Sequence, residues 1–394
     1  MPWKETNVDE EKIKFIAEYK NGGWSMTDLC KEFGIDRSTG YKYIRRFNEQ
    51  GLEGLKEQSR APKNQPNAVR EKLVELILEA RDKKPGWGPE KILSSLEVRY
   101  PSIEDWPSIT TVGRILKKNG RIKKKKRRRT KNTTVYPLSH VIEPNDVWCT
   151  DFKGYFMVGN GKRCDPLTIT DAYSRYLLAC KITSKTNTEN VQDVFTEVFR
   201  EYGLPEAIRS DNGSPFAATR ALGGLSRLSV WWMKLGIRLE RIRPGNPQEN
   251  GRHERMHLTL KQETALPPRS SLKSQQKAFD AFIQEYNYER PHGGLKNRFP
   301  GEFYKPSKRE FPEKIPEMAY PTSYEVERVS DEGNIRYGIH RVFIASALRG
   351  EIIGLEEISD RHRRIHFSNA TLGVLDIFTG RVLQYPNPKP SNEK

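Results

Sequence analysis

Apolar positions recur at helical spacing through the first third of the chain. Ile13, Phe15, Ile16 and Tyr19 predict a helix over 10–20. Met26, Leu29, Cys30 and Phe33 predict a second after Ser25, broken by Gly34. A third, over 37–47, takes Asp36 or Ser38 as its cap and turns Tyr43, Ile44 and Phe47 inward. Two helices, a glycine turn and a polar, basic last helix make a helix-turn-helix over 1–55. Its outward side would show Arg37, Ser38, Thr39, Lys42, Arg45 and Arg46, types that reach phosphates and base edges in a major groove. A small helical bundle with a solvated basic face is the alternative. Residues 56–67 are polar, carry Pro62 and Pro66, and read as a linker. The pattern then repeats over 68–120. Val69, Leu73, Leu76 and Ile77 form a stripe, Gly86-Trp87-Gly88-Pro89 punctuates, a helix covers 90–96, and a last helix runs 109–118 to Asn119-Gly120. Its polar side holds Thr110, Thr111, Arg114, Lys117 and Lys118, so this is a second helix-turn-helix.

From about residue 145 the periodicity changes. Strand character covers 147–158, 165–170 and 176–182, followed by a helix over 188–202 and a short strand at 207–209. A helix is expected over 225–235, a short strand over 237–240, and helices over 247–263 and 274–288. Three strands and then alternating helix and strand describe an α/β sheet covered by helices, spanning 145–307. After Pro306 a linker rich in proline and charge leads to short apolar pieces separated by Gly333, Gly338, Gly350 and Gly373, which suggest a small β-barrel over 320–388.

Charge sharpens the picture. The 394 residues carry 68 Lys and Arg against 51 Asp and Glu, a net +17. Between Trp106 and Ile142 there is no acid, and twelve of the basic residues lie there, including Arg114, Lys118, Arg121, Lys124 and Arg128. That concentration implies a polyanionic partner, nucleic acid before an anionic membrane surface. The basic stretch 121–144 would be an arm lying along phosphates or in a minor groove; the same run also fits a nuclear localisation signal. The start, Met1-Pro2-Trp3-Lys4-Glu5, has no apolar core and is not expected to be a secretory signal, and no run is long enough for a membrane helix. Four widely spaced cysteines fit neither a disulfide framework nor a CxxC zinc site, so a reducing cytoplasm is expected.

Three acids stand at element ends. Asp151 lies inside an apolar strand, Asp211 just past a strand before Asn212-Gly213, and Glu254 on a later helix. A carboxylate in an apolar strand is costly unless paired, hydrogen-bonded or metal-bound. Hard carboxylate oxygens suit Mg²⁺, and three of them can hold two ions for in-line attack at a phosphodiester. Each alone also fits a strand-end cap or a surface acid. Glu249 is a rival for the third position. The same helix carries His253-Glu254-Arg255-Met256-His257, the zinc-protease pattern H-E-x-x-H, but its basic flanks Arg252, Arg255 and Lys261 favour phosphate over a cation, so His253 and His257 are expected to pack or to touch DNA. Lys261, seven residues after Glu254 on nearly the same face, would position a DNA end or be an ordinary exposed lysine. His292 is expected to dock structurally, and Trp231-Trp232 to be core.

With their neighbours these residues resemble the DDE transposases of bacterial insertion sequences, the branch closest to retroviral integrases. The matching stretches are Trp148-Cys149-Thr150-Asp151-Phe152-Lys153, Ile208-Arg209-Ser210-Asp211-Asn212-Gly213-Ser214-Pro215-Phe216, Arg243-Pro244-Gly245-Asn246-Pro247-Gln248-Glu249-Asn250-Gly251-Arg252-His253-Glu254-Arg255, and Tyr286-Asn287-Tyr288-Glu289-Arg290-Pro291-His292. The resemblance implies an RNase H-like core with Asp151, Asp211 and Glu254 as both catalytic and metal-binding triad, holding two Mg²⁺, with Mn²⁺ as substitute. It selects Glu254 over Glu249. One departure is the gap of 43 positions from Asp211 to Glu254, longer than in integrases; residues 219–229 would absorb the excess.

The expectation is therefore a multidomain chain: tandem all-α helix-turn-helix units, an RNase H-like α/β core and a small β-barrel. It would be a transposase that binds its element's terminal repeats and cuts and joins DNA, working as a homo-oligomer on paired ends, with element and target duplexes as partners and no membrane. Its DNA contacts would come from Arg37, Thr39, Lys42, Arg46, Thr111, Arg114, Lys118, Arg121, Lys124, Arg128 and Lys261. Its expected place is the bacterial cytoplasm, on the nucleoid. The runner-up is a transposase-derived regulator or architectural protein without catalysis; a third reading is an RNase H-type nuclease without strand transfer.

Overall fold

The computed structural model describes residues 7–57, 68–122, 138, 140–218, 222–243 and 247–384. Lys124 and Arg128 of the basic arm lie outside the described residues. The chain falls into two compact units, 1–70 and 71–394.

The first unit is helical. α1 (Val8–Asn21) starts at Asn7, whose side chain accepts from the Asp9 amide, and carries Asp9, Glu10 and Glu11 in its first turn, where acids favour the helix dipole. α2 (Met26–Glu32) is capped by Ser25, and α3 (Arg37–Gln50) follows after Gly34. The three enclose Phe15, Ile16, Leu29, Cys30 and Ile44, joined by Leu55 from the following turn. α3 crosses α2 at Gly40; a Cβ there would stand 2.8 Å from both Cys30 Sγ and Met26 Cε, so a larger residue would have to push those side chains aside.

The second unit opens with another three-helix group: α4 (Glu71–Lys83), α5 (Pro89–Arg99) and α6 (Ile109–Lys118). Ile77, Trp87, Ile92, Leu96, Val112 and Leu116 form its core. Ion pairs tie it to the region that follows. Lys84 meets Glu263 at 3.9 Å and also pairs with Glu285, and Asn297 donates to Glu90 at 2.6 Å.

Next comes a mixed sheet: β1 (Val147–Phe152), β2 (Phe156–Met157), β3 (Arg163–Asp171), β4 (Leu177–Thr183), then helix α7 (Thr188–Tyr202), β5 (Ala207–Ser210), α8 (Arg227–Lys234) and β6 (Arg238–Arg241), with α9 (Gly251–Thr264) and α10 (Leu272–Tyr288) after it. The strand order is β4-β3-β1-β5-β6, with β2 extending the start of β3. β1, β3 and β4 are antiparallel; β1, β5 and β6 are parallel. α7 and α8 cover one face through Trp148, Leu167, Ile169, Phe195, Phe199 and Trp232. α9 and α10 cover the other through Cys164, Leu177, Met256, Leu260, Phe279 and Phe282. Burial on both faces explains why the central strands read as nearly continuous apolar runs. The expected strand 147–158 is interrupted after Phe152, where Gly154 takes φ +78°.

The last part is β-rich: β7 (Glu325–Arg328), β8 (Asn334–Tyr337), β9 (His340–Phe343), β10 (Ile352–Ser359), β11 (His362–Phe367), β12 (Ala370–Asp376) and β13 (Arg381–Gln384). They form an open antiparallel sheet, β13-β12-β11-β10-β7, and a separate β8-β9 hairpin. The expected barrel does not close among the described residues; β7 and β13 remain edges. Instead the sheet buries its apolar face against the core region. Ile353, Leu355, Ile365, Phe367 and Leu375 share a cluster with Leu222, Leu225, Val230 and Met233. α8 is thus buried on both sides, Trp231-Trp232 toward the mixed sheet and Val230 and Met233 toward the C-terminal one. The expected linker after residue 306 is also anchored. Ser307 donates its amide to Tyr202 and Arg309 accepts from Leu204 at 2.7 Å.

All four cysteines are buried and free. Among the described residues no helix is long and apolar enough to cross a membrane.

Candidate active site

β1 and β5 run parallel, with Cys149 beside Arg209. Two residues further along this register, Asp211 comes alongside Asp151 at the C-terminal ends of adjacent strands, which lie about 4.8 Å apart in any sheet. Strand alternation sets the face. Trp148 points toward α7 and α8, so Cys149 and Asp151 point to the opposite face, where Cys149 packs against Leu138, Ala172 and Ala207 and Asp151 meets Asn250 at the start of α9. Asp211 is held by its own loop: Gly213 donates its amide to Oδ1 at 3.0 Å, and Asn212 donates to the Ile242 carbonyl at 2.7 Å.

Glu254 stands in the first turn of α9, exposed, while Met256 and Leu260 seat that helix on the sheet. Its charge reaches Asp151. The Asp151 carboxyl is pushed up to about 7, first by burial and then by Asp211, with a smaller push from Glu254, while the Phe152 amide and Lys153 pull the other way. Asn250, at the start of α9, donates to Asp151 Oδ2 at 3.4 Å. As the side chains stand, no three His, Cys, Asp or Glu groups among the described residues converge on one point where an ion would sit. The donor set is nonetheless hard carboxylate oxygen, its acids repel one another, and Glu254 is exposed; the chemistry of these residues fits a divalent cation.

The rival Glu249 is committed elsewhere. It is buried, accepts from the Arg243 amide at 3.0 Å and pairs with the Arg243 guanidinium. Burial pushes its carboxyl up, but Arg243 outweighs this and holds it below the usual range.

His253 and His257 do not form a zinc site. Both are buried, and both Nε2 atoms lie 2.7 Å from Thr168 Oγ1. Burial holds His253 down to about 3 and His257 to about 2, the latter helped by His253 and Lys153. His292 is likewise buried, with Nε2 3.2 Å from the Tyr286 carbonyl. Lys261 is exposed on α9, close enough to Lys153 to push that ammonium down after burial has done so.

The helix-turn-helix candidates divide. Arg37 and Lys42 are exposed on α3, and Thr39 and Arg46 are half-buried. Arg114 and Lys118 are exposed on α6, whereas the Thr111 hydroxyl is engaged with Ser108 at 3.0 Å. Arg121 is not free for a phosphate: it forms a forked pair with Asp82, 2.7 and 2.9 Å. Residue types alone do not single out Asn250, Lys153 or Thr168. The signal for Thr168 is its place opposite Asp151, visible only once the strands are paired.

Comparison with known proteins gives the following. Residues 142–247 and 235–300 match family models described as Integrase core domain. Residues 11–63 match a Helix-turn-helix domain and 39–116 a Homeodomain-like domain. The chain is 28% identical over 161 residues to the uncharacterized 31.7 kDa protein of insertion element IS407 from Burkholderia multivorans, covering 41% of this chain and 55% of that protein. It is 32% identical over 134 residues to the Gag-Pro-Pol polyprotein of Mason-Pfizer monkey virus, covering 32% of this chain and 7% of the polyprotein. Among solved structures, the HTLV-2 integrase catalytic core domain in complex with magnesium (trimeric form) aligns with a TM-score of 0.33 at 14% identity, over 42% of this chain and 99% of that one. The chain thus spans about half the length of the insertion-element relative.

Proposed function

We propose that this chain, which carries an integrase core domain and helix-turn-helix domains and is homologous to insertion-element proteins and retroviral integrases, is the DDE transposase of an insertion sequence. The helix-turn-helix domains, taken as 1–55 and 68–120, recognise the terminal inverted repeats. The basic arm 121–144 adds phosphate contacts beyond Arg121, which is paired with Asp82, 145–307 carries the chemistry, and the sheet within 320–388 adds DNA or subunit contacts. Asp151, Asp211 and Glu254 hold two Mg²⁺ or Mn²⁺ ions. When bound, these supply Lewis-acid activation of the attacking oxygen and neutralise the leaving 3′-oxygen.

The protein's own groups do the rest. The Asp151 carboxyl would give up its proton where a bound cation offsets the repulsion from Asp211 and Glu254. Asn250 orients the Asp151 carboxylate, and Lys261 beside Lys153 offers cationic charge to a DNA end. No covalent protein–DNA intermediate is needed, because the chain positions the reactants and the charge they develop. Two ends must be joined, so the working form is a homo-oligomer on paired ends, acting on DNA in a bacterial cytoplasm.

What supports this reading is that Asp151 and Asp211 stand at the ends of adjacent parallel strands, with Glu254 in the first turn of the helix at whose start Asn250 donates to Asp151. The test is Mg²⁺-dependent cleavage and joining of labelled duplexes bearing the flanking repeats, comparing wild type with Asp151→Asn and Glu254→Gln beside a binding assay. Wild type should cut and join, and both variants should bind and do nothing. Equal binding by all three with no cutting by any makes the chain a non-catalytic DNA-binding regulator. Cutting without joining makes it a nuclease.

A further inference from the structure

The helix that carries Glu254 presents two histidines to the sheet, and the groups around them decide where their protons sit. Thr168 stands opposite Asp151 in the β1–β3 ladder and is fully buried. Its Oγ1 lies 3.0 Å from the Asp151 carbonyl oxygen and 2.7 Å from Nε2 of both His253 and His257. A carbonyl oxygen only accepts, so the single hydroxyl proton goes to Asp151. The two lone pairs of Oγ1 then accept, and each Nε2 must carry a proton. The Thr170 hydroxyl, 3.1 Å from His253 Nδ1, is left to donate there. With three partners the Thr168 hydroxyl has no capacity left.

Resting on the function proposed above, we infer that Thr168, His253 and His257 are positioning residues that fix the register of α9 on β1, and so the approach of Glu254 to Asp151. Met256 and Leu260 also seat α9, but apolar burial is non-directional and tolerates sliding along the sheet. Two hydrogen bonds converging on one oxygen do not tolerate it. The oxygen is bonded in turn to the backbone of the residue whose carboxylate Glu254 must meet. His253 is the immediate neighbour of Glu254, and His257 lies one turn further, so the helix is pinned on either side of Glu254. This absorbs the H-E-x-x-H pattern without zinc: each Nε2 is a donor here, not a ligand.

The test uses the full chain, with Thr168→Val, Thr168→Ser and a Glu254→Gln control. Mn²⁺ is titrated calorimetrically without DNA, and ring ¹⁵N shifts are read in histidine-labelled protein. Both rings should show the Nε2–H tautomer. Thr168→Val, with the far-UV signal of wild type, should bind Mn²⁺ at least about tenfold more weakly, the range typical for loss of a group that orients a ligand. It should also need correspondingly more Mg²⁺ for half-maximal cleavage, with a smaller change in the rate at saturation. Thr168→Ser, which keeps the hydroxyl, should restore affinity to within about threefold, a small part of that range. A folded Thr168→Val with wild-type Mn²⁺ affinity overturns the inference, as does an Nδ1–H tautomer at either ring. If Thr168→Val does not fold, the tautomers of wild type and the affinity of Thr168→Ser decide. Failure of the underlying function looks different: there Glu254→Gln leaves Mn²⁺ affinity unchanged.

Discussion

Asp151 occupies a strand position that would ordinarily hold an apolar side chain, and its carboxyl is pushed up to about 7 by burial, then by Asp211 and Glu254. An acid raised in this way favours the fold only while protonated. Its contribution is present below the ordinary carboxylate range and is lost as pH rises through about 7. At pH 8 in chelator, the ionised group therefore costs stability. Asp151→Asn should stabilise the metal-free protein by about 1–3 kcal/mol, discounted for partial solvent contact, while abolishing cleavage. Thermal melts with chelator check this; a variant melting below wild type would show that the carboxylate is not under strain. Three histidines carry the opposite sign. Burial holds His253, His257 and His292 down to about 3, 2 and 3, so they stay neutral in the fold while the unfolded chain takes up protons below pH 6.5. Stability should fall as pH drops through 6.5, by up to about 1.4 kcal/mol per unit for each ring. The Asp151 effect offsets about one of the three. Urea unfolding from pH 7.5 to 5.5 should show the decline, and His292→Gln should flatten it; a level profile in wild type would mean the rings are solvated.

Elements whose ends are set by local chemistry are legible in the sequence itself. α6 and α7 begin after Ser108 and Asn187, whose side chains accept from the amides of Thr111 and Asn190, and both helices run over the residues that the pattern marks. What depends on distant partners is not legible there. The expected strand through residue 158 breaks at Gly154 because a positive φ leaves no trace in alternating hydrophobicity. α8 is visible as a helix, but its burial on a second side depends on Phe367, Leu372 and Leu375, more than a hundred residues away. The extra length between Asp211 and Glu254 finds part of its use there, since Leu222 and Leu225 pack under the C-terminal sheet. Among the described residues the expected barrel stays open for the same reason. Glycines separate strands locally, whereas closing a sheet requires its two edges to pair. Within the candidate site the three carboxylates are proposed from motif order. The occupation of Glu249 by Arg243 is not legible in the sequence, because a pairing of side chains is settled only by folding.

At the scale of the whole molecule, a net charge of +17 makes phosphate contact the main source of DNA affinity, but not every basic residue contributes equally. Each phosphate contact releases condensed counterions, so the logarithm of affinity falls against the logarithm of salt with a slope of about 0.9 per contact. Arg37, Lys42, Arg114 and Lys118 are exposed cations on the last helices of their groups and are free to make such contacts. Arg121 is spent on Asp82, to which it is forked at 2.7 and 2.9 Å; releasing it to a phosphate would strand a carboxylate beside DNA. The run from Lys123 to Lys131 adds eight positive charges and no acid. Replacing those eight with serine should lower the salt slope by several units while leaving preference for the repeat sequence in place, because phosphate contacts position and base contacts specify. Arg121→Gln should leave the slope where it is. Titrations of a repeat-bearing duplex and a scrambled one across about 50–200 mM salt separate the cases. Equal slopes for wild type and the serine variant would remove the arm from the interface. A fall with Arg121→Gln would mean that its pair with Asp82 opens when DNA binds.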